Sequence, residues 1–190
     1  MSKYNSRLIE ANKVLGLIPI TTLASCDLIH FSDAITASRL IASDISVGDV
    51  FDFGSGNGFP GLVLGILFPK ISVVLVEIDK RKCDFLSGLI KELGLNNVRV
   101  LNSNVGDLPQ GSVELAIARG FGPITKCLLL TRTLFKKGGK FYHLKGDEWP
   151  REIAEIPSQL CSHWTPSLLG EFKLPLGSGK LGVVVTQKIS

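Results

Sequence analysis

Three glycines in five residues, Gly54-Ser55-Gly56-Asn57-Gly58, follow the apolar run Asp49–Phe53 and precede a helix-forming stretch. Glycine permits a sharp turn and close backbone approach, and the N-terminus of the next helix offers unpaired N–H groups. Glu77 stands at the end of the following apolar run, where a carboxylate accepts both hydroxyls of a ribose in doubly wound folds. Together these residues point to a bound nucleoside. The spacing is G-x-G-x-G, shorter than the dinucleotide G-x-G-x-x-G, and no lysine with Ser/Thr follows as in a phosphate loop. Asp52, just before the glycines, repels a pyrophosphate and suits a ligand carrying an ammonium group. S-adenosylmethionine meets that description. A nicotinamide-dependent oxidoreductase would want the longer spacing and a separate catalytic domain, and a non-catalytic nucleoside- or RNA-binding scaffold is the third reading.

The elements that must hold these residues follow from periodicity. Ser6–Leu17 and Asp27–Ala42 carry apolar residues at helical spacing, separated by Ile18-Pro19-Ile20, and form an N-terminal helical extension over residues 1–45. Strands are expected over Asp49–Phe53, Ile71–Val76, Val98–Leu101, Val113–Ala118 and Lys140–Leu144. The intervening helices are Phe59–Phe68, Asp79–Leu93 and Ile124–Phe135, the last stopped by Gly138-Gly139. Glu148–Leu160 reads as a further helix despite Pro157. Leu168–Leu174 and Leu181–Gln187, flanking Gly-Ser-Gly, read as an antiparallel hairpin. Strands alternating with helices predict a Rossmann-like α/β fold: a mostly parallel, doubly wound sheet over residues 46–190 with a C-terminal hairpin.

Composition sets the limits. The chain has 190 residues, 45% hydrophobic and 20% charged, enough to bury a core without disulfides or structural metal. Cys26, Cys83, Cys127 and Cys161 are scattered, with no C-x-x-C and no histidine at metal spacing, so no metal site is expected. The longest charge-free stretch, Phe53–Pro69, is broken by glycines and prolines, which excludes a membrane span. The opening MSKYNSRLIE lacks a signal peptide's apolar core, so a cytoplasmic location is expected. The net charge of +4 permits a polyanionic partner without demanding one.

The run Phe51-Asp52-Phe53-Gly54-Ser55-Gly56-Asn57-Gly58-Phe59-Pro60-Gly61-Leu62 resembles the D-x-G-[ST]-G-x-G-[FL]-P-G motif of the ribosomal RNA small-subunit methyltransferase G family, also called glucose-inhibited division protein B. Glu77 with Lys80-Arg81 and Phe85-Leu86, Ala118-Arg119-Gly120-Phe121 against S-R-A-F, Lys145-Gly146, and His30 with Asp33 against H-x-x-D-S extend the likeness from about Leu8 to the end. The resemblance implies a class I fold and methyl transfer from S-adenosylmethionine to N7 of a guanine in 16S ribosomal RNA. It places cofactor contacts on Gly54, Phe59, Val105, Gly106 and Arg119. Gly56, Gly58 and Glu77 complete that set from the nucleoside reading. The chain departs from the family at Ala11 and Gly16, where a tryptophan and an asparagine are usual, and at Gly106, often an acid.

Guanine N7 presents a lone pair in the major groove, so no base need remove a proton before it attacks. In-line positioning and electrostatics then carry catalysis. Arg119 is the candidate catalytic residue, as a positioner of cofactor and target. Lys145, His30, Lys80 and Arg81 are the candidate RNA contacts. The expected partner is 16S ribosomal RNA or the small ribosomal subunit, with no membrane, and a monomer is expected.

Overall fold

The computed structural model describes residues 1–23, 25–45, 48–173 and 179–190. Helices α1 (Ser2–Leu15) and α2 (Ile20–Leu23), a π-helical turn (Asp27–Phe31) and α3 (Ser32–Asp44) precede β1 (Asp49–Phe53). Then come α4 (Gly61–Leu67), β2 (Ser72–Glu77), α5 (Lys80–Leu93), β3 (Val98–Asn102), β4 (Val113–Arg119), α6 (Ile124–Thr131) and β5 (Phe135–Lys145). The chain closes with α7 (Trp149–Ala154), α8 (Ser158–Cys161), β6 (Trp164–Lys173) and β7 (Lys180–Lys188). The seven strands form one sheet in the order β3-β2-β1-β4-β5-β7-β6. β1 to β5 run parallel, and β7 enters antiparallel between β5 and β6.

The sheet is covered on both faces, and the strands show why. Alternate residues of a strand point to opposite faces. Along β2, Val73 and Leu75 join one buried cluster while Val74 and Val76 join the other; Leu115 and Ile117 of β4 divide from Ala116 and Ala118 in the same way. Such strands must read as continuous apolar runs, which is why their sequences are so plain. α1, α3, α4 and α5 contribute to the first cluster, and α6 and α8 to the second. Tyr4 and Leu8 of α1 are fully buried in the first cluster, where α1 packs on α5 and α3 on α4, β6 and β7. Truncating a buried leucine such as Leu8 costs about 2–5 kcal/mol.

Strand order reverses between β1 and β4, so a crevice opens at their carboxyl ends. Local signals shape its rim. Gly16 ends α1 at φ 57°, donating its N–H to Asn12 O. The buried Asn12 side chain then accepts from Ile18 N at 2.7 Å and donates to Ile18 O at 3.1 Å, fixing the path toward α2.

Some expected elements differ. The helix from Ile124 ends at Thr131, and Phe135 already lies in β5. Gly138-Gly139 does not stop an element: Gly138 takes φ 86° inside β5, and the pairing with β4 shifts between Val113 and Leu115, as glycine-marked irregularities in strands do. The single helix Glu148–Leu160 is two, because Pro157 lacks an N–H and stands at the N-cap of α8. β6 begins at Trp164, ahead of the expected Leu168. Leu174 and Gly177-Ser178 of the expected hairpin turn lie outside the described residues.

Candidate active site

The glycine turn after β1 folds back on β2: Gly54 and Ser55 both donate to Val76 O, at 2.9 and 3.1 Å. Gly54, Gly56 and Gly58 all have positive φ, a region that side chains rarely adopt. Gly58 is the most constrained, because a Cβ there would lie 2.5 Å from the Tyr4 hydroxyl oxygen. That hydroxyl donates to Asn57 O at 2.7 Å. α1 thus buttresses the turn from below.

Two cavities meet at Gly54. The first, about 250 Å³, is lined by Leu17, His30, Gly54 to Asn57, Phe59, Lys82, Arg119 and Gly120. The second, about 210 Å³, is lined by Gly54, Val76, Glu77, Ile78, Ser103 to Val105, Phe121 and Leu130. The second has the form of a nucleoside slot: an acid at the end of β2, apolar walls from Ile78, Val105 and Leu130, and the aromatic Phe121. Glu77 is 6% exposed, with Oε2 accepting from Gly56 N at 2.8 Å and Oε1 from Asp79 N at 2.9 Å. Each carboxylate oxygen has two lone pairs, so each retains one for a ribose hydroxyl. The Gly106 N–H, in contrast, is taken by Asn104 Oδ1 at 2.9 Å. Val105 and Asn104 line the slot, and Gly106 does not.

The first cavity contains a polar cluster drawn from distant parts of the chain. Arg119, at the end of β4, donates from Nη2 to His30 Nδ1 at 2.9 Å and lies 3.4 Å from Asp33 Oδ2. His30 Nε2 is 3.0 Å from Thr22 Oγ1, and its ring stacks on Phe59 with centroids 6.1 Å apart. Burial, helped by the Arg119 charge, presses the His30 pKa down to about 4, so the ring is neutral at pH 7. Burial raises the Asp33 carboxyl, against the pull of Arg119. Arg119 Nη1 and Asp33 Oδ1 are buried without a partner.

A family model described as GidB, rRNA small subunit methyltransferase G, matches residues 1–168. The chain belongs to this family. It is similar to ribosomal RNA small subunit methyltransferase G 3 of Bdellovibrio bacteriovorus, 46% identical over 191 residues that cover 100% of this chain and 86% of that relative. A relative of the same family name from Halorhodospira halophila is 33% identical over 172 residues, covering 88% and 80%. Among solved structures, an S-adenosyl-L-methionine-dependent methyltransferase from Methanococcus maripaludis superposes with a TM-score of 0.62 at 16% identity, covering 98% of this chain and 92% of its own. That level of identity speaks for the fold.

In this chain the cleft gathers Gly54, Gly56, Phe59, Glu77, Val105, His30 and Arg119, and leaves other sequence-predicted residues outside. Asp52 is fully buried beneath the turn and lines neither cavity. Its Oδ2 accepts from Gly61 N at 3.0 Å, and burial pushes its pKa up to about 7. The expected attraction between Asp52 and a ligand's ammonium group therefore gives way to a role in holding the turn to α4. Lys145 is mostly buried, paired with Glu152 at 2.8 Å and donating to Gly122 O at 2.5 Å. Its charge is spent on fixing the loop after Arg119 rather than offered to a phosphate. Lys80 pairs with Asp84, and Arg81 pairs with Asp79 at 3.0 Å. Both side chains are exposed and away from the cavity. Their neighbour Lys82 lines the cleft, with no ion pair among the described residues. His30 has both ring nitrogens engaged, which leaves its face rather than its edge for a ligand.

Tyr4 and Thr22 are site-building residues absent from the expected set, whereas Lys82 belongs to the basic run Lys80-Arg81-Lys82, a candidate for RNA contact. Lys82 was legible within Lys80-Arg81-Lys82, since one residue of three on a helix faces a given side. Tyr4 and Thr22 carry no motif.

Proposed function

We propose that this chain transfers a methyl group from S-adenosylmethionine to N7 of a guanine in 16S ribosomal RNA, acting in the cytoplasm. The observation that carries the reading is the two-part cleft joined at Gly54, with Glu77 on one side and Arg119 on the other. The adenosine portion fits the cavity of Glu77, Ile78 and Val105, with the ribose hydroxyls on the remaining Glu77 lone pairs. The methionine portion fits the turn Gly54 to Gly56, and its sulfonium supplies an activated methyl group.

The residues around Arg119 suit an acceptor that needs no deprotonation. His30 is the one imidazole lining the cleft among the described residues, and both its nitrogens are already used. Attack by a bare N7 lone pair needs no base, which accords with an imidazole whose two nitrogens are both engaged. Guanine O6 lies beside N7 on the same edge, and the Arg119 guanidinium lines the cleft as a cationic donor for it. Lys82, at the cleft wall, offers a charge to the RNA backbone.

The test is methyl incorporation from labelled S-adenosylmethionine into small ribosomal subunits, and into naked 16S RNA, from a strain lacking the mark. One methyl group per particle is expected, on a guanine whose N7 methylation makes the strand cleavable after borohydride and aniline treatment. Incorporation at another atom, or none in any RNA form, contradicts the proposal.

A further inference from the structure

We infer that His30 is a positioning residue for methyl transfer: its neutral, Nε2-protonated ring accepts from Arg119 Nη2 and so fixes the guanidinium at the cleft wall beside the acceptor base. This rests on the proposed role of Arg119. The direction of the hydrogen-bond chain admits one solution. A guanidinium has donors and no acceptor, so His30 Nδ1, 2.9 Å from Nη2, must be bare. The ring proton then sits on Nε2 and faces Thr22 Oγ1 at 3.0 Å, and the Thr22 hydroxyl donates to Pro19 O at 3.2 Å. Four residues from three separate segments thus form a chain of defined polarity, Arg119 to His30 to Thr22 to Pro19.

The surroundings keep the ring in that state. His30 lies in the π-helical turn Asp27–Phe31, a local form common at functional sites. Phe59 stacks on its face at an interplanar angle of 23°, and Phe59 itself stacks on Tyr4 at 29°. The charged groups around it are Arg119 from β4, Asp33 from α3 and Lys82 from α5 across the cavity. A second proton would set an imidazolium N–H against the guanidinium and break the contact. Asp33 alone holds Arg119 loosely, through one 3.4 Å approach. His30 therefore supplies the short contact that fixes where the fork points.

Two amide substitutions separate this role from simple packing. Asparagine places its amide oxygen where Nδ1 stands, and glutamine reaches the Nε2 position. His30→Asn retains kcat to within about threefold of wild type. His30→Gln and His30→Ala lower kcat by about tenfold to hundredfold, as loss of alignment does, with S-adenosylmethionine affinity unchanged. Equal rates for His30→Gln and His30→Asn, or wild-type rates for all three, overturn the assignment. Should the variants not fold, ¹⁵N NMR of histidine-labelled wild type decides: a neutral Nε2–H tautomer for His30 near pH 7 is expected, and an Nδ1–H tautomer overturns it. A wild-type chain that methylates no RNA counts against the proposed function, whereas the tautomer reading stands or falls on its own.

Discussion

Glu77 Oε2 accepts the Gly56 N–H at 2.8 Å, so one carboxylate joins the end of β2 to the glycine turn after β1. The same side chain accepts from Asp79 N at 2.9 Å and anchors the start of α5. Three segments that border the cleft are registered to each other through one acid.

Glu77→Gln keeps the shape but loses the charge and one acceptor. Hydrogen bonds to charged groups contribute about 1.5–3 kcal/mol, so S-adenosylmethionine affinity falls about tenfold to hundredfold. Calorimetric titration measures this, and an unchanged affinity removes the ribose from Glu77.

Gly58→Ala sets a side chain at φ 97° and drives its Cβ toward the Tyr4 hydroxyl. Strained backbone of this kind costs about 1–3 kcal/mol. Chemical denaturation of Gly58→Ala shows that loss, and the double variant with Tyr4→Phe regains part of it by removing the opposing oxygen. A stability equal to wild type contradicts the buttress of α1 against the turn.

Asp52 makes stability depend on pH. Its pKa is raised to about 7 in the folded protein from a reference near 3.8, so between those values the folded state holds a proton that the unfolded state has released. Stability from this group is therefore full below about pH 4 and declines as pH rises through about 7, by about 4 kcal/mol at 1.36 kcal/mol per unit. Asp52→Asn lacks this decline. The unfolding free energy of wild type relative to Asp52→Asn is expected to be larger at pH 5 than at pH 8, and a difference that is constant or grows with pH contradicts the account.

Much of this arrangement is legible in the sequence because it is local. The strands β1, β2 and β4 are short apolar runs ended by turn residues, and burial on both faces leaves little else for them to be. Gly54 to Gly58 and Glu77 are readable because a turn and a strand end are defined by near neighbours. Where sequence reading fails, the deciding partner is distant. Asp52 reads as a ligand contact until α4 is seen to cover it. Lys145 reads as a free cation at a strand end, yet Glu152 from α7 claims it. The Arg119–His30 contact joins residues 89 apart in the chain, and nothing in either local sequence announces Thr22 as the third member. Gly138-Gly139 misleads because a glycine pair breaks a helix and also marks an irregularity within a strand. Only the partner strand β4 decides between them.

The central claim is that Arg119 orients the acceptor while the rest of the cleft holds the cofactor, and Arg119→Lys tests it most directly. Lysine keeps a charge beside Asp33 but loses the fork that contacts His30. The account predicts single-turnover methyl transfer to small ribosomal subunits slowed about hundredfold, with S-adenosylmethionine affinity and thermal stability close to wild type. Methyl transfer at the wild-type rate by a folded Arg119→Lys protein would contradict it.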